Sequence, residues 1–77
     1  MRNIITVTAY SSMPGRYQVR LGQPEAKRPR NPRDVSGGEA AAAAAMEIAV
    51  EVGSKGYAIF APKEVLQLIP EDMRSRG

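Results

Sequence analysis

Ser36-Gly37-Gly38-Glu39, then six consecutive alanines from Ala40 to Ala45, then Met46-Glu47-Ile48-Ala49-Val50-Glu51-Val52-Gly53: this stretch decides the fold. It reads as one helix over residues 37–52. Ser36 and Glu39 have the Ser-x-x-Glu spacing of a capping box, in which each side chain accepts from a backbone N–H of the other's residue. Gly53 is the residue best able to take the left-handed conformation that ends a helix. Alanine adds almost no side-chain bulk, so such a helix can lie unusually close to a sheet. Met46, Ala49, Val50 and Gly53 cluster on one side, flanked by Ile48 and Val52. Glu47 and Glu51 share the opposite side at i, i+4 spacing, where like charges repel slightly, so that side is expected to face water or a partner.

Upstream, residues 3–10 are rich in β-branched side chains and alternate: Ile5, Val7 and Ala9 on one face, Ile4, Thr6, Thr8 and Tyr10 on the other. Met13-Pro14-Gly15-Arg16 is a turn signal. Proline presets φ at the first central position and glycine supplies positive φ at the second, which describes a type II turn. Residues 16–21 alternate again, Tyr17, Val19 and Leu21 against Arg16, Gln18 and Arg20. An antiparallel hairpin with one apolar and one polar face is expected.

Residues 22–35 carry Pro24, Pro29 and Pro32, and proline cannot donate to a central ladder. This basic, proline-rich segment (23–35 at its core) is expected to be an edge strand or a surface loop. Downstream, Gly56-Tyr57-Ala58-Ile59-Phe60 reads as a third strand. Pro62 suits the start of a second helix, with Val65, Leu68 and Ile69 at i, i+3, i+4, and Pro70 ends it. A polar tail follows. The expected fold is α+β: a small antiparallel sheet in β-β-α-β-α order with one long alanine-rich helix packed on one face. No internal repeat is present.

Seventy-seven residues make a single small domain over 1–77. A chain of this length buries only roughly 60% of the surface its unfolded form exposes, so partners or tight packing matter. With no cysteine and no histidine, neither a disulfide nor a zinc site is expected. The net charge of +3 is mildly basic and compatible with nucleic acid or an acidic protein surface. The apolar run in residues 1–10 is broken by Thr6 and Thr8, too short for a signal peptide. No stretch approaches the roughly 20 apolar residues that cross a bilayer. A soluble intracellular protein with no membrane partner is expected.

Catalysis is not expected. Histidine and cysteine are missing as proton carrier and nucleophile. Glu39 is accounted for by capping, Glu47 with Glu51 by a helix face, and Glu71 and Asp72 are adjacent rather than posed across a cleft. Gly37-Gly38 fit neither a P-loop nor a dinucleotide fingerprint. No catalytic residue, cofactor or metal is expected. The basic segment, Lys27, Arg28, Arg30 and Arg33, has two readings. Beside a hairpin carrying Tyr10 or Tyr17 it could neutralise phosphates while a tyrosine stacks a base. Alternatively it is a solvated loop that blocks edge-to-edge pairing, or a protein contact. Of Tyr10, Tyr17, Tyr57 and Phe60, three are expected in or near the core, and one exposed tyrosine could anchor an interface. Met46 and Met73 are expected to fill gaps.

Thr6-Val7-Thr8, Pro14-Gly15, Tyr17 and Val19 resemble one family of phage-encoded anti-CRISPR proteins, the fifth-named inhibitors of type I-F systems. So do the alanine block through Ala45-Met46, Ala49, Glu51, Gly53-Ser54, Tyr57, Ile59, Val65-Leu66, Ile69-Pro70-Glu71 and Arg74. The spacing between these blocks matches without gaps across nearly the whole chain. Each block is common alone; their joint order carries the resemblance. Two places depart from it. In residues 23–35 the family is more strand-like and mainly Arg33 and Ser36 match, and Val52 stands where the family has a bulkier aromatic residue.

The resemblance implies a non-enzymatic inhibitor, in the cytoplasm of a bacterial host, that binds the crRNA-guided CRISPR-Cas surveillance complex. Members are associated with the large Cas8-type subunit of the DNA-bound complex, where they block recruitment of the nuclease-helicase. Other small inhibitors prevent target DNA from binding, and the sequence leaves both steps open, as it does monomer or homodimer. Expected partner-binding residues are Arg28, Arg30 and Arg33 on the basic segment. Glu71 and Arg74 join them because they fit the family pattern yet lie in a segment too polar for a core. The rivals are a small nucleic-acid-binding protein using Lys27, Arg28, Arg30 and Arg33, and an antitoxin-like or structural module whose alanine helix packs in a homodimer.

Overall fold

Thr6-Val7-Thr8 lies in the middle of the molecule, on the central strand of a five-stranded sheet ordered β3-β2-β1-β4-β5. A computed structural model describes residues 3–22 and 30–76, with the side chains of Arg30 and Asn31 outside the description. Strands β1 (Asn3–Ala9) and β2 (Arg16–Leu21) form the expected antiparallel hairpin, with Ile5 opposite Leu21 and Val7 opposite Val19. Its turn closes through the Arg16 N–H donating to the Met13 carbonyl at 3.1 Å. Gly15 sits at φ 83°, the conformation a type II turn requires at that position.

Strand β3 (Arg30–Ser36) pairs antiparallel with β2 and forms one edge of the sheet. Val19 pairs with Arg33 and Leu21 with Arg30, so β3 takes a longer step than β2 between these pairs. Pro32 lies within that irregularity, where a missing N–H costs least. Residues 23–29 of the basic segment lie outside the described residues.

Helix α1 (Gly38–Val52) then carries the chain back across the sheet to β4 (Tyr57–Phe60). Since α1 returns the chain to the end from which β3 started, β4 runs parallel to β1, with Ile5 opposite Ile59. Strand β5 (Ser75–Arg76) pairs antiparallel with β4 and closes the other edge. The sheet is therefore mixed, not purely antiparallel, and has five strands where three and an uncertain edge were expected. The sequence pattern shows alternation in β1 and β2 but not the direction a crossover helix imposes on β4.

Both ends of α1 differ from expectation. Ser36 is the last residue of β3, opposite Arg16, and the helix caps on Gly37 at φ 91° and ψ 148° with no side-chain hydrogen bond. The capping box does not form because the ladder has already claimed Ser36. At the other end Gly53 stays right-handed at φ −54° and opens a 3₁₀ turn, Gly53–Lys55. Gly56 at φ 82° supplies the positive φ that turns the chain into β4.

The core forms between α1 and one sheet face. Ala41, Ala42, Ala44, Ala45, Ile48 and Ala49 are buried against Ile5, Val7, Tyr17, Val19, Leu21, Tyr57 and Ile59. Val50, expected on the packed side, is 75% exposed, whereas Ile48 is fully buried. Six consecutive alanines give no rotational preference. Burial of Ile48, worth about 1.5–3 kcal/mol, outweighs anything they supply and fixes how the helix is rolled. Met46 and Met73 are half-buried and pack against the core as gap-fillers.

The second helix shrinks to one turn, α2 (Lys63–Leu66), continued by 3₁₀-like bonds such as Ile69 N–H to the Leu66 carbonyl at 3.0 Å. That tightening buries Val65 and Ile69 and leaves Leu68 exposed. A further 3₁₀ turn, Glu71–Met73, leads into β5. Among the described residues no helix is long and apolar enough to cross a membrane.

Candidate functional site

Arg33 stands opposite Val19 in the β2–β3 ladder, so it points to the helix side of the sheet. There its guanidinium pairs with Glu47 and lies 3.9 Å from Glu51. The two glutamates that repel each other at i, i+4 on α1 thus hold one arginine of the edge strand between them. Such a partly exposed pair is worth about 0.2–1 kcal/mol, enough to pin the edge strand to the helix without carrying the fold. The acidic side of α1 faces Arg33 rather than only water.

Arg74 is likewise engaged within the chain. Its Nε–H donates to the Ile69 carbonyl at 3.0 Å, and Nη1 lies 3.9 Å from the exposed carboxylate of Glu71. Its own carbonyl accepts the Ile59 N–H at 2.8 Å, joining β5 to β4. Of the other expected partner-binding residues, Arg30 is placed by its backbone opposite Leu21, and Arg28 and Lys27 lie outside the described residues. The structure therefore brings Glu71 and Arg74 together, places Arg33 at the opposite edge of the sheet, and gives Arg33 and Arg74 intramolecular partners.

The sheet face opposite α1 has a different character. Strand alternation puts Arg16, Gln18 and Arg20 of β2 on it, beside Tyr10, Thr8 and Thr6, and the β1–β4 register puts Phe60 next to Thr6. Arg20, Thr6 and Phe60 form one row across three strands. Asp34 joins the face from β3, opposite Gln18, and accepts a hydrogen bond from the Tyr10 hydroxyl. This bond is the main cause that raises the Tyr10 hydroxyl above its ordinary pKa of 10.0, aided by desolvation and the Asp34 charge and opposed by the nearby Arg16 charge. Phe60 is 57% exposed, while Thr6 beside it is buried and donates its hydroxyl to the Gly22 carbonyl at 2.7 Å. The Nε of Arg16 is buried without a hydrogen-bond partner among the described residues, so its stem is packed down on the sheet.

The exposed aromatic residue is thus Phe60 and not a tyrosine. Tyr17 and Tyr57 are buried on the helix side, where their hydroxyls donate to the Glu64 carboxylate at 3.2 Å and the Met73 carbonyl at 3.0 Å. Burial first, then the charge and hydrogen bond of Glu64, raise the Tyr17 hydroxyl. The open-face set was within reach of the sequence. Arg16, Gln18 and Arg20 already alternate with the core positions of β2, and Phe60 is out of phase with Tyr57 and Ile59.

A third feature is a shallow concavity of about 560 Å³ at the C-terminal end of α1, lined by Val50, Ser54, Tyr57, Asp72, Met73 and Arg76 among others. Its lining mixes apolar side chains with one acid, Asp72, and one base, Arg76. Among the described residues no three histidine, cysteine, aspartate or glutamate side chains gather as a metal site would require. No protein-family model matches the chain, and no curated protein matches it.

Proposed function

We propose that this protein is a non-enzymatic inhibitor that binds a type I CRISPR-Cas surveillance complex in the cytoplasm of a bacterial host. It engages the large subunit of the complex and occludes the site where the nuclease-helicase is recruited. The observation that carries the reading is the ordered set of family-like residues spanning nearly the whole chain. Most of the apolar ones (Tyr17, Val19, Ala45, Ala49, Tyr57, Ile59, Val65 and Ile69) are buried, so the resemblance concerns the scaffold on which a binding surface is displayed. Steric occlusion needs only such a scaffold and a complementary surface.

The test is co-purification of the chain with a type I-F surveillance complex, with and without bound target DNA, beside a plaque assay in a host with active CRISPR interference. Binding to the DNA-loaded complex, loss of nuclease-helicase recruitment and restored plaques are expected. Binding that displaces target DNA would instead select inhibition of the DNA-binding step. A chain that binds no CRISPR component would refute the reading. Purified protein is expected to leave DNA and RNA uncut, with or without divalent metal.

A further inference from the structure

We propose that Pro32 keeps the β3 edge of the sheet from pairing with the β3 strand of a second copy of the chain, with Asp34 as a second guard. The edge then stays unpaired and the chain stays a monomer. This holds whichever partner the protein has, and does not rest on the inhibitor reading.

The ladder bonds show which way the edge faces. Between β1 and β2, the Tyr10 N–H donates to the Arg16 carbonyl at 3.1 Å and the Gly22 N–H to the Ile4 carbonyl at 2.7 Å. Backbone groups alternate in direction along a strand, so Arg16, Gln18 and Arg20 turn theirs to β1. Tyr17 and Val19 turn theirs to β3, where their partners Val35 and Arg33 bond inward. The Gly37 N–H, donating to the Gly15 carbonyl at 2.6 Å, continues the same alternation past the end of β3. Asp34 and Ser36 are left with backbone groups directed outward, and Pro32 is next in line.

Among the described residues this seven-residue strand is the edge long enough to template another. The opposite edge, β5, has two residues. Identical edges pair antiparallel about a two-fold axis. A pairing centred on Asp34 draws in the most outward groups, and sets Pro32 of each copy opposite Ser36 of the other. There the proline has no N–H to give, and the Ser36 carbonyl goes unanswered. The same register places the two Asp34 carboxylates against each other, a like-charge pair that opposes association. Sliding the copies past Pro32 leaves only Asp34 and Ser36 of each in the ladder. Ties to Glu47 on one face and Tyr10 on the other hold Arg33 and Asp34 in this arrangement. Pro32 itself is exposed and is not part of the core.

Sedimentation velocity over a wide range of protein concentration would be run on the parent, Pro32→Thr and Pro32→Ala, with hydrogen exchange of the Asp34 amide read by NMR. Both substitutions restore the N–H, and the second keeps the test valid should the first lose its fold. A monomeric parent is expected. In a folded variant, dimer should form as concentration rises, and the Asp34 amide should exchange at least tenfold more slowly than in the parent. Adding Asp34→Asn should tighten that dimer, and an unchanged dimer would remove Asp34 from the account. Folded variants that stay monomeric would overturn the proposal, as would association without slowed exchange at Asp34. So would a parent that already dimerises with a protected Asp34 amide. Loss of the fold in both variants would mean that the proline serves the irregularity in β3 rather than guarding its edge.

Discussion

Ala45 and Ala49 show how little room a single side chain has in this core. Both are essentially fully buried, in the same core cluster as Val7, Val19 and Ile59 of the sheet. Leucine at either position adds three heavy atoms to a contact set by methyl groups, and is expected to destabilise by about 1–3 kcal/mol in thermal denaturation. Val50→Leu, on the exposed side of the same helix, should change stability by less than about 0.5 kcal/mol. Equal effects at the buried and exposed positions would show that the helix is rolled differently. The tyrosines give a second, independent reading. Tyr10 and Tyr17 are both held above their ordinary value of 10.0, so their neutral forms are favoured in the fold. Groups raised in this way contribute stability that is complete below pH 10 and lost as pH climbs through the folded-state values. Denaturation midpoints should therefore fall above pH 10, and Tyr17→Phe should flatten that fall. The small size of residues 40–45 was legible in the sequence, and so was the closeness of the helix to the sheet it implies. Its roll was not, because six methyl groups point equally in every direction and Ile48 decides.

At the level of elements, the connections are where sequence and structure part. Strands β1 and β2 could be recognised from their alternation, β4 from its aromatic and β-branched residues, and the Pro14-Gly15 turn from its chemistry, since these signals are local. The parallel placement of β4 and the short strand β5 depend on where a helix delivers the chain, which no local pattern encodes. The helix-free face of the sheet divides in the same way. Its members on β2 were readable as the polar half of a hairpin, but Phe60 joins them only through the β1–β4 register. Arg33 and Arg74 looked like free cations in sequence and turn out to be held by Glu47 and by Glu71 with the Ile69 carbonyl. Gly37 carries the sharpest prediction here. Its φ of 91° with ψ of 148° lies in a region open almost only to glycine, at the junction of β3 and α1. Gly37→Ala should cost about 1–3 kcal/mol although nothing occupies the space its Cβ would enter. Gly38→Ala, one residue into the helix, meets Leu68 Cδ1 at 3.4 Å, an ordinary contact with an exposed side chain. It should be neutral or slightly stabilising, because alanine favours the helical conformation. A larger loss at Gly38 than at Gly37 in chemical denaturation would contradict this account of the junction.

For the molecule as a whole, the consequence of the β3–α1–β4 crossover is that no part can be completed alone. Helix α1 touches β1, β2, β3 and β4, and β4 reaches its place beside β1 only after the helix has spanned the two strands between. A helix of 15 residues is marginal in water even when alanine-rich, since its first turn is costly to nucleate. The β1–β2 hairpin is no more independent, because two strands without a covering layer are marginally stable at best. Each layer thus supplies the burial the other lacks, and the small core makes the dependence mutual. The chain is expected to unfold in one cooperative transition. Helix content, followed by circular dichroism at about 222 nm, and tyrosine packing, followed in the near ultraviolet, should share a midpoint and slope in denaturant. The tyrosine signal reports on both layers, since Tyr17 and Tyr57 lie on β2 and β4 against the helix. Persistence of helix signal after the tyrosine signal has collapsed would mean that the alanine run is stable by itself. The crossover would then be a mere connection, and the alanine-to-leucine effects above would have to be read as local.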